Sequence, residues 1–324
     1  MLPVAAFFCE YFPCGSVMKY LFGPVPSRRL GLSLGVDLVP YKVCSFDCLY
    51  CELGRTTSHT SERREYVPTR GVLDELRSCF GDSGFSCDYV TLSGSGEPTL
   101  HSGLADIVAG IKEITSRPLA LLTNSSLLND PEVRRAVQPV DVILPSLDAA
   151  TPKAFQRLNR PVDSVRIESI ISGLLALREE FSGKIWLEIL FCRGINDSDA
   201  EIEALTKAIE DVRPDKIQLN TVVRPGAYRE AQSVSLDFLQ QVQRRWGERA
   251  EIIAPFSSSQ LNHGQQDSLQ QIIDLLQRRP CTVQDMAASC AMVPAEVVKF
   301  LDLLKKEGKV KESIHEGETF FVAG

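Results

Sequence analysis

Three cysteines lie close together in the stretch Tyr41-Lys-Val-Cys-Ser-Phe-Asp-Cys-Leu-Tyr-Cys51. Cys44, Cys48 and Cys51 have the spacing C-x3-C-x2-C, and this stretch contains no fourth cysteine and no histidine. A closed structural zinc site takes four protein ligands, and a [4Fe-4S] cluster is usually held by four thiolates. Three ligands therefore predict a metal centre with one open coordination position, and an open position is where chemistry can take place.

A glycine-rich turn follows the cysteines by one predicted strand and helix. The run Gly94-Ser-Gly-Glu97 stands directly after an apolar strand at 89–93. Such a turn exposes backbone groups at close range, and the carboxylate of Glu97 can accept a hydrogen bond from an ammonium group. Alone, the run would also suit an ordinary strand-to-helix turn.

Polar residues also end the later predicted strands. Because the active sites of barrels of parallel strands lie at the carboxyl ends of the strands, we expect these residues to meet at one mouth. Arg224 is the best candidate for binding an anionic group, with a structural ion pair as the alternative. The strand-end candidates are Asn124, Ser146, Asp148, Cys192, Asn196, Asn220 and Arg224.

Glu188 stands in the middle of an apolar strand at 186–190. A carboxylate that points into a barrel needs a partner, whereas one that points outward is solvated. Both orientations are open.

Strands alternate with helices along most of the chain, which predicts right-handed βαβ units around a parallel sheet. Six strand–helix units fit before residue 250, fewer than the eight of a closed barrel. The predicted fold is therefore α/β, a partial (β/α)6 TIM-like barrel over residues 18–256. The strands are predicted at 32–39, 89–93, 119–123, 141–144, 184–191, 216–223 and 251–254.

The last 58 residues have a different pattern, with three helices and two strands that predict a winged-helix domain at 267–324. A linker is expected at 257–266, and residues 1–17 are expected to be a disordered leader. Residues 265–324 carry seven Lys or Arg and nine Asp or Glu, and the third helix begins Pro294-Ala-Glu296 without a basic side chain. These charges argue against DNA binding and favour a structural or protein-contact role.

The composition is that of an ordinary globular protein, with 44% hydrophobic and 24% charged residues in 324. The net charge of −7 argues against a broadly basic surface for nucleic acid. Ten cysteines in a chain of this length, without a convincing signal peptide or membrane span, predict a reducing, cytoplasmic location.

The cysteine spacing, Tyr50 between the last two cysteines and the Gly-Ser-Gly-Glu-Pro run together resemble the radical S-adenosylmethionine (radical SAM) superfamily. The resemblance implies that Cys44, Cys48 and Cys51 bind three irons of a [4Fe-4S] cluster and that the fourth iron binds S-adenosylmethionine. The reduced cluster would cleave this cofactor to methionine and a 5′-deoxyadenosyl radical, which abstracts hydrogen from a substrate that the sequence leaves unknown. The electron donor would be a protein such as flavodoxin or ferredoxin.

The same resemblance assigns S-adenosylmethionine contacts. It places an aromatic residue beside the adenosyl group, a glycine-rich segment at the methionine amino group, and polar strand-end residues at the cofactor and its ribose. Packing is the alternative for the aromatic residue, and helix capping for the strand-end residues. The assigned residues are Tyr50, Gly94, Ser95 (at a glycine-type position), Gly96, Glu97, Asn124, Ser146 and Asp148.

A closer resemblance, over about residues 20–255, is to wyosine-type tRNA-modifying synthases, carried by Phe22-Gly-Pro-Val-Pro-Ser-Arg-Arg-Leu-Gly31, by Ser93 to His101 and by Asn159-Arg-Pro161. Those synthases have a second cluster of three cysteines and a lysine for pyruvate, whereas only Cys9 and Cys14 precede the triad here. A tRNA substrate is therefore one alternative, and an iron–sulfur or zinc-dependent winged-helix regulator is the other. A basic patch for tRNA would use Arg28, Arg29, Arg55, Arg63 and Arg64. The carboxylates of Glu62 and Glu65 would reduce its positive charge.

Overall fold

A computed structural model describes residues 18–27, 29–81, 85–253, 267–290, 292 and 294–324. The expected leader, the expected linker, Cys9, Cys14 and Arg28 lie outside these residues. Its strands are β1 (Leu21–Ser27), β2 (Gly31–Val36), β3 (Val43–Cys44), β4 (Ser58–His59), β5 (Tyr89–Leu92), β6 (Leu119–Thr123), β7 (Val142–Pro145), β8 (Lys184–Phe191), β9 (Lys216–Thr221), β10 (Ala250–Ile252), β11 (Val310–His315) and β12 (Glu318–Ala323). Its α-helices are α1 (Thr69–Gly81), α2 (Leu104–Ile114), α3 (Pro131–Ala136), α4 (Pro152–Leu158), α5 (Ile167–Glu180), α6 (Asp199–Val212), α7 (Leu236–Trp246), α8 (Asp267–Arg278), α9 (Val283–Ser289) and α10 (Pro294–Lys306).

An eight-stranded sheet with the order β1-β2-β5-β6-β7-β8-β9-β10 forms the larger part of the molecule. Strand β1 is antiparallel to β2, and every other neighbouring pair is parallel. Helices follow β2, β5, β6, β7, β8 and β9, which gives the six strand–helix units expected from the sequence. The α/β class and the mostly parallel sheet are thus confirmed.

Helix starts follow from short polar side chains. Asp130, Thr151, Ser198 and Ser235 each precede a helix, and the side-chain oxygen of each accepts a hydrogen bond from a backbone N–H of the first turn. These N–H groups have no partner within the helix, so the caps fix where α3, α4, α6 and α7 begin.

Strand β1 is absent from the sequence prediction, because Gly23, Pro24 and Pro26 read as an irregular entry segment. It occupies the edge of the sheet and has a register irregularity between Phe22 and Val25. Proline is tolerated at such a position because an edge strand leaves one row of N–H groups unpaired.

The sheet is curved. Arg29, between β1 and β2, donates from Nη1 to Glu188 Oε2 in β8 at 2.6 Å and to Gln218 Oε1 in β9 at 3.5 Å. Three strands separate β2 from β8, so contact between them requires the sheet to wrap around an interior. No strand pairing joins β1 to β10 within the described ranges, so the sheet is open, consistent with a partial barrel.

The C-terminal residues form α8, α9, α10 and the antiparallel hairpin of β11 and β12, close to the predicted elements. Their apolar side chains form a cluster of their own that includes Ile272, Met286, Leu301 and Phe321. None of the helices that the structure describes is both long and apolar enough to cross a membrane.

Candidate active site

The cysteine loop, residues 37–68, leaves the carboxyl end of β2. Backbone hydrogen bonds join it to the segment at 158–162, with Asp47 N donating to Asn159 O at 3.1 Å and Leu49 N donating to Leu158 O at 2.9 Å. Asn159-Arg-Pro161, which carried part of the family resemblance, therefore belongs to the segment that pairs with the backbone of the cysteine loop. The loop is held in place although it contains little regular structure.

Two of the cysteine sulfurs accept hydrogen bonds from asparagine side chains. Asn124 Nδ2 lies 3.5 Å from Cys44 Sγ, and Asn159 Nδ2 lies 3.7 Å from Cys48 Sγ. Burial raises the pKa of Cys44 to about 12 and that of Cys48 well above its ordinary value. Both groups are therefore neutral thiols at pH 7 unless a metal binds and displaces the proton.

The residues described by the structure include no group of three His, Cys, Asp or Glu side chains placed to hold a metal ion. A cubane cluster takes each thiolate at a different iron, and three thiolates leave its fourth iron open.

The first half of the glycine-rich turn is fixed by Asp37, which the sequence analysis did not single out. Ser95 donates from its backbone N to Asp37 Oδ1 at 3.0 Å and from its hydroxyl to Asp37 Oδ2. Gly94 has φ of 135°, and a Cβ there would meet the same carboxylate, so the position requires glycine. Burial raises the pKa of Asp37, against the hydrogen bonds from Ser95.

The second half of the turn packs directly on the cysteine loop. A Cβ on Gly96 would lie 1.9 Å from Val43 O, and Glu97 N donates to that oxygen at 3.2 Å. Only glycine allows this approach. The two motifs that are far apart in sequence are therefore in contact at the carboxyl edge of the sheet.

Glu97 is 2% exposed, and its carboxylate is used within the protein. Oε1 accepts from Thr99 N at 3.1 Å, from the Thr99 hydroxyl at 2.6 Å and from the Thr123 hydroxyl at 2.7 Å, while Oε2 accepts from Asn124 N at 2.7 Å. Burial raises the pKa of Glu97, and these hydrogen bonds oppose the shift. In this structure the side chain joins the ends of β5 and β6, in addition to any contact that it makes with an ammonium group.

Asp148 joins the cysteine loop to β8. Its Oδ2 accepts from the Tyr50 hydroxyl and from Asn159 Nδ2 at 2.8 Å, and its Oδ1 accepts from Leu190 N at 2.9 Å. Tyr50 is thus fixed by its hydroxyl while it also lines the main cavity. Asn124, Ser146 and Asp148 lie together around a small cavity of about 10 Å³.

A pH dependence follows from Asp148. Burial raises its pKa from 3.8 to about 6, against the hydrogen bonds from Tyr50, Leu190 and Asn159. Since the pKa of Asp148 is higher in the folded chain than in the unfolded one, the protonated carboxyl stabilises the folded chain. This contribution to the unfolding free energy is fully present below pH 4 and is lost as the pH rises through about 6, a total of about 3 kcal/mol. We expect the cluster-free chain to lose about 1 kcal/mol between pH 5 and pH 7 relative to Asp148→Asn, measured by urea unfolding. Equal pH slopes in both proteins would contradict the shift.

Asn196 and Cys192 are inside the protein rather than at the mouth. Asn196 is fully buried, accepts from Cys192 N at 2.7 Å, and donates to Asp148 O and Leu190 O. The amide therefore holds the turn after β8, and the prediction that Asn196 meets substrate finds no support in this geometry.

The main cavity has a volume of about 420 Å³ and extends from the cysteine loop into the curved sheet. Glu188 points into it, accepting from Arg29 at 2.6 Å and from Asn220 Nδ2 at 3.1 Å, which settles its orientation. The C-terminal residues form part of the wall. Polar residues of the lining include Ser33, Tyr50, Cys51, Glu52, Thr91, Asn220, Arg224, Arg279, Asp285 and Ser289.

Arg224 connects the cysteine loop to the C-terminal helices. It is 6% exposed, and it donates from Nη1 to Glu52 Oε1 at 3.3 Å and from Nη2 to Asp285 Oδ1 at 3.4 Å. Although burial acts to raise the pKa of Asp285, the guanidinium of Arg224 helps to hold it below the ordinary value. Of the two roles considered for Arg224, anion binding and a structural ion pair, the structure shows the ion pair.

The segment after β9 covers the cysteine loop, a contact that no local sequence pattern indicates. Tyr228 N donates to Leu49 O at 3.1 Å, and the Tyr228 hydroxyl donates to Asp47 Oδ2. A Cβ on Gly226 would lie 2.8 Å from Tyr50 Cα. This segment and the loop at 158–162 therefore both contact the cysteine loop.

The described arginines proposed for a tRNA patch have different partners. Arg29 lines the cavity and pairs with Glu188, and Arg63 lies 3.5 Å from both Asp130 and Glu132. Arg55 and Arg64 stack over tyrosine rings, those of Tyr228 and Tyr66. A tRNA patch stays a prediction.

A cysteine loop packed on a glycine-rich turn, at the carboxyl edge of a curved parallel sheet, is the arrangement expected of a cluster-binding α/β enzyme. A family model described as Radical SAM superfamily matches residues 38–205, just over half of the chain. The chain belongs to the radical SAM superfamily, whose enzymes use a [4Fe-4S] cluster and S-adenosylmethionine.

Two relatives are similar to much of the chain. The chain is 36% identical over 206 residues to UPF0026 protein slr1464 of Synechocystis sp., covering 63% of this chain and 76% of the relative. It is 32% identical over 302 residues to a protein named GTPase Obg of Brachyspira hyodysenteriae, covering 92% of this chain but only 44% of that protein. The chain thus spans less than half of this second relative.

A solved structure, native anSMEcpe with bound AdoMet and Kp18Cys peptide, superposes with a TM-score of 0.51 at 14% identity. The match covers 78% of this chain and 70% of that one, and at this identity it establishes the fold alone. The closer resemblance to wyosine-type synthases stays a prediction.

Proposed function

We propose that this chain is a radical SAM enzyme in which Cys44, Cys48 and Cys51 hold a [4Fe-4S] cluster and S-adenosylmethionine is cleaved reductively. The observation that carries the proposal is the contact between the two motifs, in which Gly96 admits the backbone of the cysteine loop at Val43. When bound and reduced, the cluster supplies the electron that breaks the sulfonium bond to give methionine and a 5′-deoxyadenosyl radical.

The protein's own residues position and shield this site. Asn124 and Asn159 donate to two of the sulfurs, and Asp148 fixes both Asn159 and Tyr50. We infer that the backbone at 94–96 and the residues Asn124, Ser146 and Asp148 contact the methionine and ribose parts of S-adenosylmethionine, because they stand at strand ends on the edge of the sheet that carries the cysteine loop. Enclosure by the curved sheet excludes water, which protects a reactive radical from side reactions.

The substrate would react inside the main cavity. The cavity volume of about 420 Å³ lies in the range of small-molecule sites, roughly 300–1,000 Å³. Because residues of α9 form part of its wall, a macromolecular substrate would require the C-terminal helices to move. We therefore favour a small substrate over tRNA.

Anaerobic reconstitution tests the proposal. The full chain is treated with iron and sulfide, reduced with dithionite in the presence of S-adenosylmethionine, and analysed for 5′-deoxyadenosine. About four irons per chain and reductive cleavage are expected. Tight zinc binding without cleavage would overturn the proposal and favour a metal-dependent regulator.

We further propose that residues 267–324 form a winged-helix domain, separate from the barrel at 18–256, that closes the cavity. Arg279, Asp285 and Ser289 line the cavity, and Arg278 stacks over the Phe22 ring of β1 at 3.8 Å. These contacts lie near the gap between β1 and β10, the open side of the sheet. DNA binding is not part of this role.

Arg224→Met tests the closure. The variant leaves Glu52 and Asp285 without their shared cation, and because both carboxylates are partly exposed we expect a loss of about 2 kcal/mol in unfolding free energy. Hydrogen exchange in α9 should become faster. Arg245→Met, which removes an exposed pair with Glu203, should change stability by less than about 1 kcal/mol and leave α9 unchanged. Unaltered exchange in Arg224→Met would rule out this anchor.

An electron donor such as flavodoxin or ferredoxin and a cytoplasmic location complete the proposal. The eight cysteines within the described ranges form no disulfide. The cytoplasmic location rests on the number of cysteines in a chain of this length.

A further inference from the structure

Lys42 is a buried cation in the cysteine loop. Its side chain reaches the sulfur of a proposed cluster ligand, with Nζ 3.0 Å from Cys51 Sγ, and the residue is only 2% exposed. Lysine is almost never fully buried unless it is paired. The two asparagines that donate to Cys44 and Cys48 are neutral, so Lys42 gives the third sulfur a different, charged partner.

The backbone of Lys42 is fixed on both sides. Its N–H donates to Ser95 O at 2.7 Å, and its carbonyl accepts from Thr57 N and Ser58 N at 3.1 Å. Its φ of 57° lies in the left-handed region, which costs energy for any residue except glycine. Such a conformation persists only where the surroundings hold it, so the backbone from which the side chain reaches Cys51 is fixed by the fold.

A cation in this position suits thiolate ligands. No carboxylate in the described part of the chain forms an ion pair with Lys42, and its ammonium donates to Cys51 Sγ. Thiolates that bind a cluster carry negative charge, which compensates a buried ammonium.

We propose that Lys42 is a positioning residue that orients Cys51 and stabilises the reduced form of the cluster, raising its midpoint potential. Reduction adds one electron, and so one negative charge, to the cluster. A nearby cation in a site of low dielectric favours the more negative state, and hydrogen bonds to the sulfurs are a known determinant of cluster potential. The proposal rests on the proposed function, because it requires a cluster on the three cysteines.

The experiment is an anaerobic potentiometric titration of the reconstituted full chain with redox mediators and dithionite, followed by electron paramagnetic resonance. Wild type is compared with Lys42→Met and with Lys42→Gln, which keeps a donor for Cys51 Sγ but removes the charge. Lys207→Met is the matched control, because Lys207 is an exposed lysine on α6 paired with Asp211. Both Lys42 variants keep a non-glycine residue at position 42, so the energetic cost of its left-handed backbone conformation is unchanged.

We expect the equilibrium constant for reduction of the cluster to fall at least tenfold in Lys42→Gln and in Lys42→Met. For one electron, a tenfold fall is a shift of about 59 mV toward more negative midpoint potential. Lys207→Met should match wild type. If Lys42→Met cannot retain iron, Lys42→Gln decides the question. A potential equal to that of wild type in a Lys42 variant with full iron content would overturn the proposal, whereas a wild-type chain that binds no cluster would instead overturn the proposed function.

Discussion

Cys48→Ala is expected to bind no [4Fe-4S] cluster and to form no detectable 5′-deoxyadenosine, while the sheet stays folded. The substitution leaves two of the three cysteine ligands, and two thiolates are too few to hold a [4Fe-4S] cluster. Its effect on folding should be small, about 1 kcal/mol, because it removes one sulfur atom from a loop at the edge of the main core. Iron and sulfide content, 5′-deoxyadenosine yield and circular dichroism measure these outcomes.

The matched control for Cys48→Ala is Cys87→Ala, which makes the same chemical change at a cysteine buried in the main core and outside the cysteine loop. It should retain the iron content and the cleavage activity of wild type. Iron content in Cys48→Ala equal to that of wild type would sink the assignment of the triad. A loss of iron in both variants would show instead that any core cysteine change disturbs the site.

Local patterns account for what the sequence predicted well. Strand β6 and strand β8 match the predicted 119–123 and 184–191, because each is a mostly apolar run, interrupted in β8 by Glu188. Asp130 and Thr151 correctly predicted the starts of α3 and α4, because an N-cap residue followed by proline is a local sequence signal. The cysteine triad could be recognised for the same reason.

Contacts between distant segments account for what was missed. Asp37 and Lys42 look like ordinary loop residues until the fold brings Ser95 and Cys51 to them. The orientation of Glu188 could not be decided from alternation, because both faces of its strand are apolar around it, and Arg29 settles it from across the sheet. Pairings of this kind depend on curvature, which leaves no local signature.

Glu97→Ala is expected to lower the unfolding free energy of the cluster-free chain by roughly 3 kcal/mol. The substitution removes the acceptor for Thr99, Thr123 and Asn124 at once, and buried donors without partners are costly. Because Asn124 also donates to Cys44 Sγ, the turn and the cysteine loop should both loosen. Urea unfolding and equilibrium dialysis with radiolabelled S-adenosylmethionine measure the two effects, and binding to the reconstituted chain should weaken at least tenfold.

Glu75→Ala separates loss of stability from loss of the site. Glu75 accepts from the backbone N–H groups of Lys19, Tyr20 and Leu21, so its removal should also destabilise the chain, at the start of β1 and away from the cysteines. We expect Glu75→Ala to bind S-adenosylmethionine as wild type does. Equal weakening in the two variants would mean that Glu97 acts only through global stability. Weakening in Glu97→Ala alone would place this carboxylate at the junction where the glycine-rich turn, β6 and the cysteine loop are held together.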